Sequence, residues 1–62
     1  MNYFESTDKK LLIVFKSVLA YSTNSTGQFE VTLRNGNAAL YPSDAERFIT
    51  EFKSYLNALK EL

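Results

Sequence analysis

The sequence predicts an α+β fold: a three-stranded antiparallel β-meander followed by one C-terminal α-helix packed on one face, in the order β-β-β-α. Three observations carry this expectation. Apolar residues recur at helical spacing from Ala45 to Leu62. Phe29, Val31 and Leu33 alternate with polar residues at strand spacing. Asn35-Gly36, the strongest short hairpin signal, follows that alternation directly.

The helix is the most legible element. Ala45, Phe48, Ile49, Phe52, Tyr55, Leu56, Leu59 and Leu62 form one face, and the intervening positions are polar. Ser43-Asp44-Ala45-Glu46 fits a capping box with Ser43 as the cap. Pro42 just outside keeps the chain extended before it. Asp44 and Glu46 sit near the positive end of the helix dipole. A stripe this broad, with two phenylalanines, is expected to be a core face.

Taken from the start, residues 1–10 read as a loosely defined N-terminal arm or a short extra strand. Tyr3 and Phe4 are the only apolar pair there, and Ser6-Thr7-Asp8 reads as a turn. Residues 11–21 are ambiguous. Leu11, Leu12, Phe15, Val18 and Leu19 match a helix stripe, and a helix there would give α-β-β-α. The β-branched residues and the turn that follows favour a strand. Its odd positions, Leu11 to Tyr21, are then the more apolar, but the loop at 22–27 is too long to fix which parity meets the helix, and either parity leaves apolar residues uncovered.

Residues 22–27 form a polar loop. Asn24-Ser25-Thr26 matches a glycosylation acceptor, but in a sequence without a secretory signal it reads as turn composition. The next strand, Gln28 to Arg34, leads into the hairpin. With Asn35-Gly36 as the loop, Leu33 faces Ala38, Val31 faces Leu40 and Glu30 faces Tyr41, so Phe29, Val31, Leu33, Ala38 and Leu40 share the face that receives the helix. Pro42 ends the last strand.

Sixty-two residues make a single domain, 1–62, and a chain of that length buries only about 60% of its unfolded surface. There is no cysteine and no histidine, so disulfides are impossible, and neither a metal nor a cofactor is expected. Oligomerisation is the remaining remedy for a small core. Basic and acidic residues balance at seven each. Residues 1–5 lack a signal-peptide pattern, no apolar run is long enough for a membrane span, and a cytoplasmic location is expected.

Function is read from what the helix leaves uncovered. It covers one sheet face, so several apolar residues of the first strand remain outside, and a monomer exposing them would be unusual. The expected self-association or partner face holds Leu12, Val14, Val18 and Tyr41. This describes a small, non-catalytic, regulatory protein-binding module, a homodimer that binds another macromolecule. No catalytic set can be nominated: the general base most often used, histidine, is missing, and the helix carboxylates read as solvated or capping groups.

The alternative is a single-stranded nucleic-acid binder. Lys9, Lys10, Lys16 and Arg34 face only Glu30 over residues 9–34, and Tyr21 and Tyr41 near an open sheet face would stack bases. A dimerising β-meander with a C-terminal helix resembles, in topology, the Whirly type of single-stranded DNA-binding fold. That resemblance implies DNA binding on the open sheet; it rests on topology and on no residue motif.

Overall fold

The computed structural model describes residues 2–60. The elements are β1 (Tyr3–Glu5), β2 (Leu12–Val14), a 3-10 turn (Phe15–Ser17), β3 (Val18–Thr23), β4 (Phe29–Leu33), β5 (Gly36–Leu40) and α1 (Pro42–Lys60). β3, β4 and β5 form the antiparallel meander, α1 follows it, and β1 and β2 make a second, two-stranded sheet. The class is α+β, with a hairpin added ahead of the meander.

The first ten residues are not a loose arm. Tyr3–Glu5 pairs antiparallel with Leu12–Val14, Phe4 opposite Ile13, and Phe4 is fully buried. The Ser6–Leu11 turn that joins them is held by its own side chains. Ser6 Oγ donates to Asp8 Oδ1 at 2.7 Å, the Leu11 N–H donates to Ser6 Oγ, and the Lys10 N–H donates to Asp8 Oδ1. Such local bonds are why Ser and Asp favour turns.

Residues 11–21 are not one strand. Both faces of such a strand would be apolar, and a single helix can cover only one. The chain breaks at Phe15–Ser17 instead. Its first half pairs with β1 and its second half with β4. The break also drives Phe15 inward, fully buried, with its ring centroid 5.5 Å from Phe52 and 5.2 Å from Tyr55. A bulge between Val18 and Ala20 then changes the parity of β3. Val18 and Tyr21 turn to the core side and Leu19 is 63% exposed, so neither single parity holds along residues 11–21.

The last hairpin turns one residue earlier than Asn35-Gly36. Leu33 pairs with Gly36, Val31 with Ala38 and Phe29 with Leu40, so Arg34 and Asn35 are the loop. The expected pairings are displaced by two residues. Side chains alternate with period two, so the displacement leaves Phe29, Val31, Leu33, Ala38 and Leu40 on one face. A type I′ turn needs positive φ at both central residues. Here Gly36 alone has it, at +148°, as the first residue of β5, while Asn35 does not.

The helix starts at Pro42, not after a Ser43 cap. Proline's fixed φ suits the first helical position, where no N–H is needed. The Tyr41 carbonyl accepts from the Asp44 and Ala45 N–H groups at 3.0 and 2.9 Å. Ser43 therefore lies within the first turn, and Asp44 is free to bond elsewhere. Phe48 is the centre of the core. Its ring is met by Phe4, Phe15, Tyr21, Phe29 and Phe52 at centroid distances of 5.4–6.0 Å. Such edge-to-face and offset pairs add to the area that they bury.

Nineteen residues of helix span about 28 Å, while a five-residue strand spans about 17 Å. The helix outruns the sheet. The expectation of a fully covered stripe holds for its first half only, since Leu56 and Leu59 are 41% and 51% exposed. Leu62, the last member of the expected stripe, lies outside the described residues.

Candidate functional site

The uncovered apolar surface begins on the outer face of the β1–β2 hairpin. In that short sheet Phe4 and Ile13 point to the core, so Tyr3, Glu5, Leu12 and Val14 point away from it. Tyr3 stands directly opposite Val14, and Leu12 opposite Glu5. Tyr3, Leu12 and Val14 are each about half exposed, which makes three large apolar side chains on one small face.

Of the four residues expected on the partner face, this arrangement brings together Leu12 and Val14. Val18 is half-buried, opposite Leu33 and against the core, because the bulge that follows it reverses the strand's parity. Tyr41 is 71% exposed, but it follows β5 in the other sheet. Tyr3 belongs to the face and was missed, since no periodicity marks a three-residue strand. The pairing of Tyr3 with Val14 and Phe4 with Ile13 joins residues eleven and nine apart, which spacing does not report.

The basic residues do not form one patch. Lys9 and Lys10 lie in the turn beside the start of α1, where the Thr7 hydroxyl meets Asp44. Lys16 and Arg34 lie at the far end of the meander, where the Arg34 N–H donates to the Ser17 carbonyl. The length of β4, about 17 Å, separates the two pairs. Lys9 also reaches Glu5 at 3.6 Å. Tyr21, expected to stack on bases, is packed at 5.5–6.1 Å against Phe29, Phe48 and Phe52 instead.

No match to the chain is found among protein-family models, curated proteins or solved structures.

Two further features complete the surface. A groove of about 530 Å³ runs along the start of α1, lined by the apolar Phe29, Leu40, Ala45 and Ile49 and by the polar Gln28 and Glu46, among others. Its volume lies within the range of small-ligand pockets. On the other flank of α1 sits a charged cluster. Asp44 is 3% exposed; it accepts from the Thr7 hydroxyl at 2.7 Å and the Thr7 N–H at 3.4 Å. Arg47 lies 3.5 Å from Asp44, donates to the Glu5 carbonyl at 2.7 Å, and stacks 4.3 Å above the Phe4 ring.

The Thr7 hydroxyl, more than any other group, holds the Asp44 carboxyl below its ordinary range; desolvation opposes this, and the Thr7 N–H and Arg47 reinforce it. A carboxylate so bonded is a poor proton carrier near neutrality. The cluster clamps β1 onto α1. Among the described residues no group of three or more metal-ligating side chains comes together, and no helix is long and apolar enough to cross a membrane.

Proposed function

We propose that this chain is a small non-catalytic interaction module of the cytoplasm, regulatory in character, which acts as a homodimer and binds another macromolecule. The observation that carries this reading is the outer face of the β1–β2 hairpin, where Tyr3, Leu12 and Val14 are exposed together. Apolar side chains grouped in this way mark contact surfaces more often than inert ones. A cysteine-free sequence is in keeping with a reducing compartment.

The test is a comparison of baits. Leu12→Lys/Val14→Lys changes only exposed positions, so the fold is retained and the circular dichroism spectrum is unchanged. A partner recovered by the wild-type chain from its own cell extract is lost by the double variant. Equal recovery by both chains removes the hairpin face from the proposal. Single-stranded oligonucleotides are the competing ligand, supported by Lys16 beside Arg34. Saturable binding that falls steeply with salt would move the function to that end of the molecule.

A further inference from the structure

One edge of the apolar stripe of the helix packs on the core at Ala45, Ile49 and Phe52 and then continues beyond it. Ala45, Ile49, Phe52, Leu56 and Leu59 recur at alternating steps of four and three residues, the a/d repeat of a helix–helix seam. At 100° per residue this seam is displaced by about 60° around the axis from Phe48, which faces the core. Burial falls along it. Ala45 is buried, Ile49 and Phe52 are half-buried, and Leu56 and Leu59 are exposed. Ala45 and Ile49 also line the apolar groove. One flank of one helix is thus concave at its start and ridged at its end.

Charge along the seam sets a direction. Glu46, Lys53 and Lys60 follow it at seven-residue intervals, and all three are exposed. Glu46 stands at the groove, and Lys60 stands next to Leu59. Two such helices side by side and parallel would set glutamate on glutamate and lysine on lysine. Antiparallel, each Glu46 meets the partner's Lys60, so two opposite-charge pairs form about a two-fold axis and only Lys53, at the axis, still meets its own copy.

The surface area leaves room for such a contact. The chain exposes 4631 Å², whereas a compact monomer of 7.1 kDa exposes about 4,100 Å². The surplus, roughly 500 Å², is of the order of the 800 Å² that each partner gives to a stable interface.

We propose that two copies of this chain pair by packing α1 antiparallel on α1 along the Ala45–Leu59 seam, so that Leu56 and Leu59 of each copy fill the groove of the other. This deepens the homodimer reading above and rests on it. It leaves Tyr3, Leu12 and Val14 free for the second macromolecule.

The chain has no cysteine, so a single introduced thiol reports proximity cleanly. Lys53 lies midway between Glu46 and Lys60, hence next to the axis. Under mild oxidation Lys53→Cys forms a covalent dimer, and Lys16→Cys, also exposed, does not. In sedimentation velocity Leu56→Glu weakens self-association at least tenfold, Glu46→Lys weakens it several-fold, and Glu46→Lys/Lys60→Glu restores it. Should Leu56→Glu fail to fold, the charge exchange decides, because both of its positions are exposed. A double variant no tighter than Glu46→Lys, or Lys53→Cys no faster than Lys16→Cys, overturns the seam; a wild-type dimer under those results keeps the homodimer reading on another surface. A wild-type monomer at about 100 μM, a concentration that detects even weak micromolar pairing, overturns both.

Discussion

Asp44 shows most plainly what a single residue does here. Its place in the first turn of α1 suggests a helix-dipole role, yet its carboxylate reaches across thirty-seven positions to Thr7. Both Thr7 donors and Arg47 favour its charged form, so its folded value lies below the ordinary 3.8. A depressed carboxylate contributes stability that is fully present above the unfolded value and is lost as pH falls through the folded one. Asp44→Asn should therefore melt below the wild type by a constant margin above about pH 5, and the margin should close as pH drops under 3.8. Thermal melts of both chains from pH 2 to 7 check this. Asp8, also lowered, chiefly by the Ser6 hydroxyl, contributes equally to both chains and drops out of the comparison. A margin independent of pH would mean that Asp44 acts through packing and not through its charge.

At the scale of elements, what could be read from the sequence was what is periodic. The α1 stripe and the alternation in β4 repeat over three turns or three strand steps, and both elements form where they were expected. The break at Phe15–Ser17 has no such signature, because Leu-Leu-Ile-Val-Phe and Val-Leu-Ala-Tyr favour strand equally on either side of it. Only the shortage of covering surface forces the chain to turn there. The β4–β5 register was misplaced by two residues for a related reason: Asn35-Gly36 supplies a glycine with positive φ in either register, and only the structure shows which position uses it. The two registers differ in a measurable way. Gly36→Ala puts a Cβ at φ +148°, with no neighbouring atom in reach, so its cost is conformational alone, about 1 kcal/mol or more. That is about 4–8 °C in Tm for a domain of this size. Asn35→Ala should be near neutral; an equal loss at Asn35 would return the turn to Asn35-Gly36.

At the scale of the whole molecule, the core is aromatic and small. Four phenylalanines and Tyr21 gather about Phe48, and the helix they hold is longer than the sheet beneath it. The composition pointed to an incompletely covered surface, and the hairpin face at Leu12 and Val14 is where that expectation placed part of it. The other part, Leu56 and Leu59, was hidden by the regularity of the stripe, because spacing tells which side of a helix is apolar and not how far along it the sheet extends. In the proposed dimer a second copy covers one of these two surfaces. Sedimentation equilibrium of the wild-type chain up to about 100 μM tests this most directly. A mass tending to twice 7.1 kDa as concentration rises is the predicted result, and 7.1 kDa throughout the range would contradict it.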